Sequence, residues 1–468
     1  MVFSSIPFLF YFLPIFLLIY FLVPTKIKNM VLLIFSLIFY GWGEPVYISL
    51  LIISSVVDYC NGRMMEKFCN EPKKRKIFLI GSVVINLGLL GVFKYCDLFI
   101  STINGIAGSS IPLTDIALPI GISFFTFQTM SYSIDVYRNT VKAEHNFIDY
   151  MAYVSMFPQL VAGPIVRYEE VQKELKCRKV TFDNAADGCI RFFLGLFKKV
   201  LIANQIGQLW DMSYANMGNL SVAGAWIGVI AYALQIYFDF SGYSDMAIGL
   251  GKIMGFTYPE NFNYPYISSS ITEFWRRWHI SLSQWFKSYV YIPLGGNRKG
   301  IPRTIINLFI VWSLTGFWHG AGWNFLLWGI YFAVILILEK FVLAKVLEKI
   351  PLIVKRIVTL VLLLISWVMF AATDFPSMSN YFSHMFGISG NAIVNEAFIY
   401  NLRNYGFIII IGGIAATPIY PKICKRINGS QWKDFLYIIG MIIFLMLFAM
   451  TISFLVNNTY NPFLYFRF

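Results

Sequence analysis

TIINLFIVWSLTGFWHGAGWNFLLWGIYFAVILILEKFV, Thr304 to Val342, carries no Asp, Glu, Lys or Arg before Glu339. Small residues after Phe317 divide it into two apolar runs, 304–320 and 325–342. Each comes close to the roughly 20 residues that cross a hydrocarbon core about 30 Å thick. Counted from Thr304 at about 1.5 Å per residue, His319 lies roughly 22 Å along the first run, within that thickness. An ionisable side chain inside two membrane spans frames both the fold and the chemistry.

The pattern extends in both directions. Further candidate spans are 6–23, 30–41, 46–60, 77–97, 119–137, 188–207, 222–247, 357–372, 404–420 and 434–456, the second and third short enough to be half-spans. Of 468 residues, 58% are hydrophobic and 13% charged, and mean hydropathy is +0.65. Soluble domains carry about 25% charged residues. A soluble fold, a disordered chain, a disulfide scaffold and a secreted domain are all excluded. The sequence predicts an all-α polytopic membrane protein, read as one transmembrane domain over 1–468 with its motif core roughly at 225–345.

The net charge of +13 does not point to nucleic acid, because the basic residues sit between the apolar runs. Loop 61–76 holds Arg63, Lys67, Lys73, Lys74, Arg75 and Lys76, and loops 166–187, 252–303, 343–356 and 421–433 are also basic. Stretches 98–118 and 208–221 have no Lys or Arg, and 373–403 has only Arg403. Basic loops stay cytoplasmic, so both termini are expected outside. The apolar opening, Val2 to Val23, has no preceding positive charge and no small-residue cleavage site, and is expected to be an uncleaved first span. The six cysteines form no C-x-x-C pair and no metal-ligand spacing with histidine, so no metal site is expected.

Two segments break the pattern. Thr272 to Tyr291, TEFWRRWHISLSQWFKSYVY, is too charged to span. Trp275, Trp278, Leu282 and Trp285 recur near helical spacing, which predicts an amphipathic helix against the membrane or inside the protein. Tyr153 to Arg167 contains Pro158, Gly163 and Pro164 within an apolar run. Irregular backbone at membrane depth is tolerated only where protein or a wet cavity surrounds it. Together they suggest a packed bundle with an internal chamber.

The chain has four histidines. His145 and His384 fall in expected loops and read as solvated. His319 lies in Phe317-Trp318-His319-Gly320, where its burial would be costly and its imidazole suited to proton exchange near neutrality. Position alone leaves open a histidine merely hydrogen-bonded to a neighbouring helix. His279 follows Arg276, Arg277 and Trp278, and reads as an interfacial residue, as a second polar group of the chamber, or as a contact to an anionic donor alongside Arg276 and Arg277. In QIYFDFSGYSD, Gln235 to Asp245, the side chains of Asp239, Ser241, Tyr243 and Asp245 cannot all face lipid and should line the interior. There is no phosphate-binding loop, nucleophile elbow or zinc-protease motif.

FWRRWHISLSQWFKSYVYIPLGGNRKG (Phe274–Gly300) and TGFWHGAGWNFLLWG (Thr315–Gly329) closely resemble the membrane-bound O-acyltransferase (MBOAT) family, and within it the alginate O-acetyltransferase branch. MVFSSIPFLFYFLP, YVSMFPQLVAGPIVRY and QIYFDFSGYSDMAIG are similar to that branch as well, so the likeness runs over nearly the whole chain. The resemblance implies a bundle of about 11 to 13 transmembrane and re-entrant helices around a funnel. It places the catalytic histidine on His319 and the branch's second histidine on His279, with Trp318 beside the chamber and Arg276 and Arg277 toward the donor.

The implied activity is O-acetyl transfer in the bacterial cytoplasmic membrane. The donor is a cytoplasmic thioester, acetyl-CoA as substrate, with no permanently bound cofactor. The partners are the lipid bilayer, a cell-surface polysaccharide acceptor and an extracytoplasmic SGNH-type protein that completes the transfer. The C-terminal tail, 461–468, reads as an aromatic belt anchored at the outer interface; the likeness also suggests that it folds back into the funnel with Tyr465 as an acyl relay. D-alanyl transfer to teichoic acid and a non-enzymatic polysaccharide exporter or scaffold are the alternatives.

Overall fold

The computed structural model describes residues 1–457 and 460–464, and among them every regular element is helical. Each of the twelve apolar segments falls on helix. Seven helices are long and apolar enough to cross a membrane, and Phe8–Leu22 is a shorter apolar one. The chain is an all-α polytopic membrane protein. The described residues form two compact units, one of residues 1–192 and 244–260, the other of 193–243 and 261 onward.

The first unit is built on an aromatic seam. Phe3, Phe8, Phe12, Phe16 and Phe39 all pack against the ring of Phe157, at centroid distances of 5.1 to 6.3 Å. Phe157 belongs to the irregular segment foreseen at 153–167. There helix Phe147–Ser155 ends, a single turn Phe157–Leu160 follows, and the backbone then runs without regular structure to Arg167. Burial obliges those polar groups to find partners. Gln159 Nε2 donates to the Tyr153 carbonyl at 2.8 Å, Tyr153 Oη donates to the Val166 carbonyl at 3.1 Å, and the Phe157 amide donates to Ser36 Oγ at 3.1 Å. The buried Asp58 is satisfied likewise by Ser82, by Asn86 at 2.6 Å and by Ser133 at 3.0 Å.

The second unit holds every tryptophan but Trp42. Trp210, Trp275, Trp278, Trp312, Trp328 and Trp367 belong to one buried cluster with Phe274, Phe332 and Phe370. Its centre is the hairpin of Gly300–His319 and Trp323–Phe341. Glycine is required where these helices touch. A Cβ on Gly316 would come within 2.3 Å of the Phe325 carbonyl oxygen, and one on Gly329 within 2.3 Å of the Trp312 carbonyl oxygen. That contact brings His319, the last residue of its helix, against Trp328. The helix begins at Gly300, four residues before the apolar run, because its first turn tolerates Arg303. His319 therefore sits at the end of a 20-residue helix.

The amphipathic stretch at 272–291 is not one continuous helix. It is Ile271–Arg277, then a break, then Ile280–Phe286 and a π-helical turn Lys287–Tyr291. The break is at His279, whose φ of 43° lies in the left-handed region. A neighbouring segment takes over the backbone bonds. The Asn263 amide donates to the Arg277 carbonyl at 2.9 Å, and the Ile280 amide to the Asn261 carbonyl at 3.0 Å. Trp275, Trp278, Trp285 and His279 are all buried, so this stretch lies inside the protein.

Candidate active site

His319 is 5% exposed and walled by aromatic rings. Its centroid lies 5.0 Å from Trp318, 5.1 Å from Trp328 and 5.4 Å from Phe370. A cavity opens beside it, lined by Ile236, Asp239, Phe240, Trp278, Trp328, Trp367, Phe370, Phe463 and Leu464. Its free volume is about 20 Å³, little more than the space that admits one water. Apart from His319 and Asp239 the lining is apolar.

His279 is fully buried and its ring lies 6.5 Å from that of His319 and 4.7 Å from Phe240. Its Nδ1 faces Asn261 Oδ1 at 3.1 Å. That oxygen also accepts the Ser281 amide at 3.3 Å and the Ser281 hydroxyl at 2.9 Å, which fixes the orientation of the amide. Nδ1 therefore carries the proton and donates it to Asn261, leaving a lone pair on Nε2. Nε2 is buried without a partner among the described residues, a costly state unless another group supplies one. Burial alone pushes the imidazole pKa down to about 3, so His279 is neutral near pH 7.

A larger cavity of about 690 Å³ lies on the other side of a tryptophan wall. Trp275 and Trp312 line it, 4.6 Å apart, and Trp275 packs at 5.7 Å on Trp328, which lines the small cavity. Its polar rim includes Arg276, Lys287, Lys340 and Glu339. Glu339 is occupied in capping helix Ile271–Arg277, accepting the Ile271 amide at 2.7 Å and the Thr272 amide at 2.9 Å. The rim is left net positive.

The structure distributes the residues singled out in the sequence. Trp318 touches both histidines, its ring 5.9 Å from His279. Asp239 lines the small cavity, while Ser241 and Tyr243 are buried in the same helix without lining it. Asp245 belongs to the first unit, where Arg191 holds it at 2.9 Å. It does not line the chamber, because the helix Val222–Met254 has by then passed into other surroundings. Arg276 faces the large cavity, whereas Arg277 is taken up by Glu273 at 2.9 Å and the Asn263 carbonyl at 3.1 Å. Tyr465 lies outside the described residues.

Two contributors were not foreseen. Asn261 sits in a loop with no motif. Lys199 is 3% exposed and pairs with Asp239 at 2.7 Å; its signal was a charged residue inside the apolar run 188–207. Phe463 and Leu464 reach the cavity from the far end of the sequence, as the fold-back reading of the tail expects.

Residues 137–370 match the MBOAT, membrane-bound O-acyltransferase family. The chain is 39% identical to a protein of Pseudomonas putida named "Probable alginate O-acetylase AlgI", over the full length of both. It is 35% identical to the peptidoglycan O-acetyltransferase of Helicobacter pylori, over 83% of this chain and 80% of that one. With the teichoic acid D-alanyltransferase of Bacillus subtilis it shares 30% identity over 47% of this chain and 59% of that one. The helical bundle with a histidine buried against a small cavity is that of a membrane acyltransferase. The chain belongs to the membrane-bound O-acyltransferase family, and it is an O-acyltransferase. The exporter reading falls with that.

Proposed function

We propose that this O-acyltransferase moves an acetyl group from cytoplasmic acetyl-CoA, used as a substrate, across the bacterial cytoplasmic membrane for O-acetylation of a cell-surface polysaccharide, with His319 as general base. The carrying observation is His319 itself, buried at the end of its helix beside a small cavity whose lining, apart from His319 and Asp239, is apolar.

An acceptor hydroxyl attacks the thioester carbonyl while His319 takes its proton. The carbon–sulfur bond breaks, and the proton passes on to the departing thiolate. General base catalysis of this kind contributes about 10²- to 10⁴-fold. The aromatic walls keep out water that would hydrolyse the thioester. His279, with Nδ1 tied to Asn261, offers Nε2 as an acceptor that orients the hydroxyl. The large cavity suits the donor: Arg276 and Lys287 hold its phosphates, and the thioester end reaches the tryptophan wall. Arg277, already engaged, has the lesser part. An extracytoplasmic SGNH-type partner then passes the group to the polymer, with Tyr465 as a relay on the way.

D-alanyl transfer is the rival reading. The ammonium of a D-alanyl group would need an anion in the small cavity, and Asp239, the acid that lines it, is already neutralised by Lys199. That favours acetyl.

The test uses reconstituted vesicles with acetyl-CoA inside and an acceptor outside. His319→Ala should lower acetyl transfer by about 10²-fold or more with unchanged unfolding in detergent. Wild-type transfer by a well-expressed variant would overturn the reading.

A further inference from the structure

The C-terminal segment after helix Lys433–Asn457 lies along the second unit. Tyr460 Oη donates to Asp211 Oδ2 at 2.6 Å, and Asn204 Nδ2 donates to Asn461 Oδ1 at 3.1 Å. Gly207 lies beside this contact: a Cβ there would come within 2.3 Å of Gln235 Nε2 and 3.1 Å of Tyr460 Oη. Lys199 Nζ donates to the Pro462 carbonyl, and the Leu464 amide donates to Asp239 Oδ2 at 2.9 Å. Phe463 packs, tilted by 34°, at 5.1 Å on Tyr243, and Phe463 and Leu464 complete the wall of the His319 cavity.

At the centre is a buried ion pair, Lys199 to Asp239 at 2.7 Å. Such a pair is weak evidence for stability, because desolvation offsets the attraction and two apolar residues of similar volume often serve as well. An apolar pair could not do what this one does to the backbone. The ammonium holds the Pro462 carbonyl and the carboxylate holds the Leu464 amide, so the two charges together grip the segment on both sides of Phe463. Lys199 sits in a π-helical turn, Lys198–Ala203, and such turns occur frequently at functional sites.

We propose that Lys199 and Asp239 are positioning residues, a latch that holds Tyr460–Leu464 as a lid of the His319 cavity and so denies water access to the reacting thioester. The latch stands on the geometry alone; the protection of the thioester rests on the proposed function. With the latch open, water replaces the acceptor. A water oxygen bonds to the carbonyl carbon, the carbon–sulfur bond breaks, His319 accepts one water proton and returns it to the thiolate, and acetic acid, which keeps the other proton, and free thiol leave.

The test has two arms on the full chain in vesicles, with the six native cysteines replaced by serine. In the first, Leu464→Cys reports closure by its reaction with a maleimide. It should label slowly in the parent and about 10-fold faster or more in Lys199→Met. The double substitution Lys199→Met with Asp239→Leu should do the same. Because it leaves no lone buried charge, it separates latch opening from misfolding, and Asp239→Glu should label as slowly as the parent. In the second arm, acceptor-independent release of thiol from acetyl-CoA should rise several-fold in the double variant and vanish when His319→Ala is added. Fast labelling of the parent, or slow labelling of the double variant, overturns the latch. Fast labelling without increased thiol release overturns the lid's role in excluding water. If the parent transfers no acetyl group, the proposed function fails, while the labelling arm still decides the latch.

Discussion

The imidazoles of His279 and His319 lie 6.5 Å apart, centroid to centroid, and cross at 68°. They are too far apart to hydrogen-bond to each other, yet close enough to touch one small group between them. Their surroundings differ. His279 is held by Asn261 and Ser281 and emerges from a left-handed break in the backbone. His319 ends a helix and is walled by Trp318, Trp328 and Phe370. A residue kept in a sparsely populated backbone region costs on the order of 1–3 kcal/mol and persists where the surroundings enforce it. One ring is thus fixed by polar partners and the other by packing, a division suited to one orienting and one proton-transferring histidine.

Removing the orienting histidine should therefore lower turnover more than donor affinity. His279→Ala is expected to cut kcat by 10-fold or more with the KM for acetyl-CoA nearly unchanged. Asn261→Ala should show a milder defect of the same kind, because His279 loses the partner that fixes its tautomer. Steady-state kinetics in vesicles separates the two constants. A rise in donor KM with kcat unchanged would instead place His279 in the donor site.

Arg276 and Lys287 face the large cavity and Arg277 does not. Arg276→Ala and Lys287→Ala should each raise the KM for acetyl-CoA by about 3- to 10-fold, as expected for lost uniform binding. The effect should shrink as salt is added, because these charges are exposed and screened. Arg277→Ala should leave the KM unchanged. Equal effects at all three positions would show a diffuse basic surface rather than a site.

The architecture was largely legible because a membrane chain must hydrogen-bond its backbone within helices and mark its ends with charge. Runs such as 304–320 and 325–342 needed only length and apolarity. His319 and Asp239 stood out as polar groups amid apolar ones. What remained hidden depended on tertiary contacts. No local pattern reports that Asn261 intercepts the helix at His279, or that Leu464 returns to Asp239 across 225 residues. Arg277 looked equivalent to Arg276 until Glu273, one helical turn back, claimed it.

The charge pattern makes a topological prediction. Cys69 lies in the basic loop and is exposed, while Gly105 lies in a stretch without Lys or Arg and has open space around its Cα. In intact cells, a variant retaining only Cys69 should resist an impermeant maleimide, and a cysteine-free variant with Gly105→Cys should react. The reverse pattern would invert the orientation read from the charge pattern.

The aromatic walls should also set the length of the acyl group. Free space beside His319 is about 20 Å³, enough for a methyl group's neighbourhood but not for a chain. Discrimination at a single methylene typically amounts to about 1–3 kcal/mol, so butyryl, two methylenes longer than acetyl, should be disfavoured by at least about 10²-fold. Phe370 is the wall to move. It is 3% exposed, faces His319 at 5.4 Å and packs at 5.1 Å on Trp328. Phe370→Leu keeps an apolar surface while removing ring volume. Each methylene newly accommodated gains about 0.8 kcal/mol, about fourfold in rate when expressed in the transition state. The variant should therefore improve butyryl relative to acetyl transfer by 10-fold or more. Its absolute acetyl rate should fall slightly, since the smaller group fits less closely. Parallel kcat/KM values for acetyl-CoA and butyryl-CoA give the ratio directly, and thermal unfolding checks that the core has held. An unchanged ratio in a stable variant would mean that acyl length is selected elsewhere, at the entrance from the large cavity past Trp275 and Trp312.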